Sequence, residues 1–178
     1  MPAPLPAHCI SLNTAAVLTG RSIRTWQRRI EEGLVPRLGD ERGRALVAFD
    51  AVRPALAVEL AAAEVDLLVR ADQGDAQAQA EVGALFALAA LDEAKAAAPA
   101  HTAGGSAIPA LHFLTRAAEQ GQADAMHWLG LLHAAGLGEP GDGKALALMW
   151  IAKAAAHGHV IAARQLAGLL PGDAAQLR

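Results

Sequence analysis

Four polar side chains are spaced so that they fall on one exposed face of a short helix: Arg24, Thr25, Gln27 and Arg28. Three apolar residues, Ile23, Trp26 and Ile30, recur at the spacing of a buried helical stripe. At about 100° per residue, Arg24 and Arg28 point away from that stripe. An arginine can bond O6 and N7 of guanine together, and a glutamine can bond the edge of adenine. The face has the chemistry of a base-reading helix, with a solvated charged face as the ordinary alternative.

Neither the histidines nor the cysteine predict a catalytic or metal site. His157 and His159 are two residues apart and cannot share a helix face. His127 and His133 have no cysteine or carboxylate nearby at a ligand spacing. Cys9 is the single cysteine, and the sequence contains no nucleophile elbow, phosphate loop or zinc-protease signature. We therefore expect no enzyme activity, no metal and no cofactor.

Capping residues predict the two helices that would position the polar face. Asn13 or Thr14 can cap a short helix that runs through Leu18 and ends at Gly20. Ser22 can cap a second helix over 23–32, ended by a glycine at position 33. Two helices separated by a short glycine-containing turn form a helix-turn-helix unit.

A glycine-punctuated segment follows the second helix and predicts a wing. The run GDERGR lies between two apolar pairs, Leu34–Val35 and Leu46–Val47, which we interpret as two strands. Arg42 and Arg44 then lie near the wing tip, where they could contact phosphates. A further helix is expected from Phe49.

This segment resembles the winged helix-turn-helix of the MerR regulators and their excisionase-like relatives. The matching residues are Ser22, the run TWQRRIEEGLV from Thr25, and 43–52 beyond the wing turn, about 45 residues in all. The resemblance implies binding to double-stranded DNA. It implies contacts from the recognition helix and the wing at Arg24, Thr25, Gln27, Arg28, Arg42 and Arg44.

The segment also departs from that family. Ala45 and Val47 stand where MerR proteins usually carry an arginine and a tyrosine on the wing strand. Arg28 and Arg29 replace the paired aromatics of the recognition helix. The family's long dimerising coiled coil and effector-binding cysteines are missing, so its operator preferences are not carried over.

The remainder of the chain aligns with itself. The copies RADQGDAQAQAEVGALFALA, HFLTRAAEQGQADAMHWLGLLHAAGLG and MWIAKAAAHGHVIAARQLAGLL begin at Arg70, His112 and Met149. Gly74, Gly121 and Gly158 correspond in the three copies. In each copy one alanine before that glycine and one alanine after it also correspond: Ala71, Ala118 and Ala155 before it, and Ala78, Ala125 and Ala162 after it. Each copy predicts two helices joined by a tight glycine turn, and such pairs stack because each buries its apolar face on its neighbours. Trp150 occupies the position of Phe113, which predicts a large side chain between adjacent pairs.

The AAEQG, A-x-x-x-LG and G-x-G pattern of these copies resembles the Sel-like repeats, relatives of the tetratricopeptide repeat. The second copy matches closely, the third well and the first partly, over about 105 residues. The resemblance implies a scaffold that binds other proteins.

Together these observations predict an all-α fold, with a winged helix-turn-helix domain before a short α-solenoid of about two to three Sel-like repeats. The predicted boundaries are a flexible N-terminus at 1–10, the winged helix-turn-helix at 11–56, and the repeat region at 57–178 with a mobile insertion at 93–110. Hydrophobic residues make up 53% of the chain but aromatics only 3%. The N-terminal sequence does not have the pattern of a signal peptide, and no apolar run reaches the roughly 20 residues needed to span a bilayer. We therefore expect a cytoplasmic protein.

Charge distribution separates the two parts. Up to Leu56 the chain has eight basic and five acidic residues, whereas the remainder has seven basic and thirteen acidic residues. A basic head on an acidic body is typical when only the head meets a polyanion. We expect a DNA-binding transcriptional regulator or DNA-associated adaptor. Arg24 and Arg28 would read base edges, while Ser22, Arg42 and Arg44 would hold phosphates.

The expected partners are double-stranded DNA at the head and a protein at the repeats, and the chain could form a homodimer. The main alternative is a protein-interaction scaffold whose head no longer binds DNA, which Ala45 at the usual arginine position favours. A recombination-directionality factor of excisionase type is a further alternative, although such proteins are usually small and lack repeats.

Overall fold

The computed structural model describes residues 8–40, 43–96, 105–138 and 141–169 and is mostly helical over those ranges. Its N-terminal part, the head, consists of β1 (Cys9–Ser11), α1 (Leu12–Thr19), α2 (Ile23–Glu31), β2 (Leu38–Gly39), β3 (Ala45–Ala48), α3 (Phe49–Val52) and a 3₁₀ turn (Arg53–Ala55). Three helix pairs follow: α4 (Ala62–Asp72) with α5 (Ala76–Lys95), α6 (Ala107–Glu119) with α7 (Ala123–Ala134), and α8 (Gly143–Ala156) with α9 (Val160–Leu169). In the described part of the chain, no helix combines the length and apolar character needed to cross a membrane.

A small antiparallel sheet in the order β1-β3-β2 belongs to the head. Ile10 pairs with Val47 across β1 and β3, and neither side chain is exposed to solvent. Leu38 pairs with Leu46 across β2 and β3. The sheet therefore brings the residues before α1 against the strand that leads into α3.

The structure of the head corrects three sequence-based expectations. The prediction of a flexible segment at 1–10 is wrong for Cys9 and Ile10, which pair with β3, while 1–7 lie outside the described residues. The first wing strand is Leu38–Gly39 rather than Leu34–Val35. The N-cap of α1 is Ser11, whose side chain accepts a hydrogen bond from the Thr14 N–H, rather than Asn13 or Thr14.

The three predicted helix pairs are present, and each turns at a glycine with positive φ: Gly74 at 102°, Gly121 at 89° and Gly158 at 91°. Glycine adopts this conformation without the steric cost that an L side chain meets. Each glycine N–H donates to an alanine carbonyl three residues earlier, at Ala71, Ala118 and Ala155, with distances of 3.1, 2.9 and 3.0 Å. The next N–H donates to the carbonyl five residues back, so the three turns share one hydrogen-bond pattern.

Small residues also mark where one pair meets the next. A Cβ added to Gly83 on α5 would lie 2.6 Å from Leu114 Cγ on α6. A Cβ added to Gly130 on α7 would lie 2.8 Å from Ile151 Cγ1 on α8. The second helix of each of the first two pairs thus approaches the first helix of the following pair at a glycine.

The segment between the first two pairs is narrower than the predicted insertion at 93–110. Helix α5 continues to Lys95 and α6 begins at Ala107, so both ends of the predicted loop are helical. Ser106 is buried, and both its N–H and its hydroxyl donate to the Glu93 carboxylate, at 3.2 and 2.6 Å. Residues 97–104 lie outside the described residues.

One hydrophobic core runs from the head into the helix pairs. It includes Trp26 and Phe49 in the head, Phe86 and Phe113 in the first two pairs, and Ala162 in the third. Strand β1 contacts α4, and α1 contacts α6. The boundary predicted at 56/57 is therefore a change of sequence pattern within continuous packing.

Candidate nucleic-acid interface

Helix α2 is fixed at its N-terminus by Ser22, as the sequence predicts. Ser22 Oγ accepts a hydrogen bond from the Thr25 backbone N–H at 3.1 Å and lies 2.9 Å from Thr25 Oγ1. Just before it, Gly20 ends α1 with a φ of 64°. The two caps set the short turn between α1 and α2, which contact each other. The first N–H groups of any helix have no acceptor within the helix, so this end of α2 is suited to an anion.

The inner face of α2 is held mainly by one aromatic side chain. Trp26 is fully buried, and Ile30 is half-buried against the same core. Ile23, predicted to belong to this stripe, is instead 42% exposed. Since Trp26 and Ile30 anchor the middle and the end of the helix, its first turn extends past the packed surface.

The outer face of α2 carries the predicted donors. Arg24, Gln27 and Arg28 are exposed, and Thr25 is half-buried. Arg28 Nε lies 3.4 Å from Glu32 Oε1, an ion pair between side chains that are 71% and 50% exposed. Arg24 has no ion pair with any described residue. Arg24 and Gln27 are thus open to solvent, whereas Arg28 has an acidic neighbour.

Arg29 has a role that the sequence did not predict. Its guanidinium lies 5.4 Å from the Trp26 ring centre, at a distance suited to a cation–π contact. Its carbonyl accepts hydrogen bonds from the Leu34 and Val35 N–H groups, at 2.9 and 3.2 Å. Arg29 therefore helps to end α2 and to cover Trp26. The spacing of three residues from Trp26 was the available signal.

Of the two arginines predicted to lie near the wing tip, the structure describes only Arg44. Arg42 lies outside the described residues. Arg44 is held by Asp40: its backbone N–H and its Nε donate to the two carboxylate oxygens, at 2.8 and 2.7 Å. The side-chain hydrogen bond, together with the Asp40 charge, raises the pKa of the Arg44 guanidinium. Arg44 lines a cleft shared with the helix pairs, and no residue of α2 lines that cleft. The structure therefore does not group Arg44 with the donors of α2.

The head is attached to the first helix pair through Asp72, at the end of α4. The Asp72 carboxylate accepts hydrogen bonds from the Ser11 N–H at 3.0 Å, from Ser11 Oγ at 2.6 Å, and from Thr14 Oγ1. A second contact joins His8 Nε2 to Asp66 Oδ1 at 2.8 Å on a more exposed surface. These bonds fix the N-terminal end of α1 against α4.

Two of the histidines considered as metal ligands lie elsewhere, His127 on α7 of the second pair and His159 in the turn of the third pair. The rings of His127 and His159 stack with centroids 4.2 Å apart. His127 Nε2 lies 2.9 Å from Gln165 Oε1, and His159 Nδ1 accepts the Ala162 N–H at 3.0 Å. Burial lowers the pKa of His127. Among the residues that the structure describes, no three His, Cys, Asp or Glu side chains are grouped as a metal site would need.

No protein-family model, curated protein or solved structure matches this chain.

Proposed function

We propose that the chain binds double-stranded DNA through α2 and a partner protein through its helix pairs. The observation that carries the proposal is the division of α2 into two faces. Trp26 is fully buried on one face, and Arg24, Gln27 and Arg28 are exposed on the other. Arg24 and Arg28 would read guanine, and Gln27 adenine, in the major groove.

The N-terminal end of α2 supports a phosphate contact beside those bases. Ser22 and Arg24 are exposed at that end, where the helix dipole favours an anion. Thr25 shares a hydrogen bond with Ser22 and would position it. We keep Arg42 as a wing contact and assign Arg44 to the cleft.

The order of elements supports a winged helix-turn-helix of the MerR and excisionase type. The head contains two helices joined across Gly20, followed by the β2–β3 hairpin, with β1 on the other side of β3. Likewise, three pairs with one turn pattern support a short solenoid of Sel-like repeats.

Exposed apolar side chains on the third pair support the partner-binding role. Four apolar side chains there are between 38% and 62% exposed: Leu148, Met149, Val160 and Ile161. Trp150 is only half-buried, whereas Phe113 at the corresponding position of the second pair is fully buried. No later pair covers this end in the described chain, so its apolar side chains are available to a protein partner.

The experiment that tests DNA reading is selection of binding sites from a random duplex library, followed by alanine variants on the enriched site. Arg24→Ala and Arg28→Ala should each cost about 1–3 kcal/mol of binding free energy on that site. Arg164→Ala, which removes an exposed arginine from α9, is the matched control and should leave binding unchanged.

A scaffold that does not bind DNA is the second candidate. It is favoured by the pairing of Arg28 with Glu32 and of Arg44 with Asp40, because each pair neutralises a cation of the head. If the folded chain enriches no duplex from the library, this second candidate would be favoured.

A further inference from the structure

A polar cleft of about 250 Å³ lies where the head meets the helix pairs. Asn13 and Arg44 line it from the head, and Asp72, His112 and Arg116 line it from α4 and α6. Phe113 and Ala71 supply apolar surface. A few polar groups around an apolar base are typical of small-molecule sites, and the volume is near their lower limit of about 300 Å³.

The charged side chains that line the cleft differ in how many of their hydrogen-bonding atoms are free to bind a ligand. Asp72 already accepts three hydrogen bonds from Ser11 and Thr14, so its carboxylate oxygens are largely occupied by the protein. Arg44 uses its Nε on Asp40, and its two terminal nitrogens make no hydrogen bond to a described residue. Arg116 is exposed and has no ion pair with a described residue. Two guanidinium groups, one from each side, are therefore the dominant open donors.

We infer that this cleft binds a small anion that carries a carboxylate or a phosphate group, held by Arg44 from the head and Arg116 from α6. Guanidinium groups bind both anions through paired, charge-assisted hydrogen bonds. The Asn13 amide and the His112 ring supply further hydrogen-bonding groups. The cleft is too small to enclose a polymer, which favours a small ligand.

Such a ligand would couple the two parts of the molecule. Because its partners belong both to the head and to the second pair, it can bind fully only when the head is seated on the pairs. Binding to the native state alone raises the apparent stability, and the gain grows with the logarithm of the ligand concentration once that concentration exceeds the dissociation constant. The inference does not depend on DNA binding.

The test is isothermal titration calorimetry of the full chain, without DNA and at low ionic strength, with inorganic phosphate and with succinate as probes. Saturable binding of either probe supports the site, and the probe that binds identifies the anion class. Arg116→Gln should weaken that binding about tenfold or more, as loss of a charged hydrogen bond does. Arg44→Gln should do the same, while Arg164→Gln, an equal loss of charge on α9, should not.

A pH series with sulfate, whose charge is constant near neutrality, adds a second readout. Burial, and then the Arg116 charge, lower the pKa of His112, while the Asp72 charge acts in the opposite direction. A bound anion would add to the effect of Asp72. Binding should therefore tighten as the pH falls, and His112→Gln should reduce this dependence. Absence of saturable binding by both probes, or binding that neither Arg116→Gln nor Arg44→Gln weakens, would overturn the inference and leave the DNA proposal untouched.

Discussion

Arg24 and Arg28 occupy similar places on α2 but differ in their neighbours. Arg28 shares an ion pair with Glu32, whereas Arg24 has no ion pair among the described residues. A DNA contact from Arg28 must first break that pair, and exposed ion pairs contribute about 0.2–1 kcal/mol. Glu32 therefore lowers the affinity of the exposed face of α2 for DNA.

Replacing Glu32 should release that restraint. We expect Glu32→Gln to bind duplex DNA up to about fivefold more tightly, since about 1 kcal/mol of pairing is removed. Fluorescence anisotropy with a labelled duplex measures the change. Glu119→Gln removes the same charge from the exposed end of α6 and should have no effect. Equal tightening in both variants would mean that net charge alone is responsible.

The His127 side chain should make stability depend on pH. Burial lowers its pKa in the folded chain, with the stacked His159 ring acting in the same direction. In the unfolded chain the ring takes up a proton near pH 6.5. The contribution of His127 to the free energy of unfolding is therefore fully present above about pH 6.5. It is lost as the pH falls from there through the lower pKa of the folded chain. The shift of His112 has the same sign, so some dependence remains without His127.

Urea unfolding at pH 7.5 and 5.5 measures this effect. The loss of unfolding free energy between the two values should be smaller in His127→Gln than in wild type. His157→Gln, at an exposed position on the adjoining turn, should keep the wild-type loss. A loss in His127→Gln equal to that of wild type would show that this ring does not resist protonation.

Single residues differed in how far the sequence could predict them. Ser22 and Gly20 act through neighbours a few residues away, and their capping roles were predicted correctly. Exposure of Arg24 followed from its angle to Trp26. The cleft position of Arg44 depends on α4 and α6, which are remote in the chain, so helical spacing could not reveal it.

At the scale of elements, glycines set the distance between helix pairs. Gly83 and Gly130 lie at corresponding positions, and in the third copy that position is Ala167. The first two glycines face a following helix, whereas no described helix follows α9. The small residue is therefore needed only where another pair packs.

A Gly83→Ala substitution tests this account. The new Cβ would lie 2.6 Å from Leu114 Cγ, so either the side chain or the helix must shift. Overpacking of this kind costs about 1–3 kcal/mol of unfolding free energy. Gly168→Ala on α9 is the matched control, because nothing lies within 4 Å of its added Cβ. There alanine should be neutral or should stabilise the helix by up to about 1 kcal/mol.

Chemical denaturation of both variants supplies the measurement. Two equally stable variants would contradict a close approach of α5 and α6 at Gly83.

The wing shows why element boundaries were harder to predict. Leu34 and Val35 are apolar and were assigned to a strand, but their N–H groups donate to the Arg29 carbonyl at the end of α2. A residue whose N–H is used in a helix-ending turn cannot offer it to a sheet. The hairpin therefore begins later, at Leu38. The predicted loop at 93–110 was too long for a related reason, since the bond between Glu93 and Ser106 is not visible in apolar spacing.

At the scale of the whole molecule, the head and the pairs share one core and a junction at Asp72. Charge and repeat pattern distinguish the two parts in the sequence, but neither pattern predicts the contacts between them. The sequence-based description as separate domains therefore omitted the junction.

The junction should couple unfolding of the two parts. Asp72→Ala leaves the Ser11 N–H and two hydroxyls without their acceptor, and loss of a buried partner costs about 1–3 kcal/mol. Asp66→Ala on the same helix removes only the His8 contact, in which the Asp66 side chain is 69% exposed, and should cost less than about 1 kcal/mol.

Hydrogen exchange should then quicken in β1 and α1 of Asp72→Ala, while the turns at Gly121 and Gly158 keep their wild-type protection. Uniform quickening across all three pairs would contradict a local junction.

DNA binding by α2 is the central claim, and the dependence of affinity on salt tests it most directly. The measurement is the dissociation constant of the full chain on a duplex over a series of salt concentrations. The account predicts measurable binding at low salt, with log affinity falling linearly in log salt by about 0.9 per phosphate contacted. Arg24→Ala combined with Arg28→Ala should weaken binding, and Arg164→Ala should match wild type. No measurable binding at low salt, or equal binding by all three proteins, would contradict the claim.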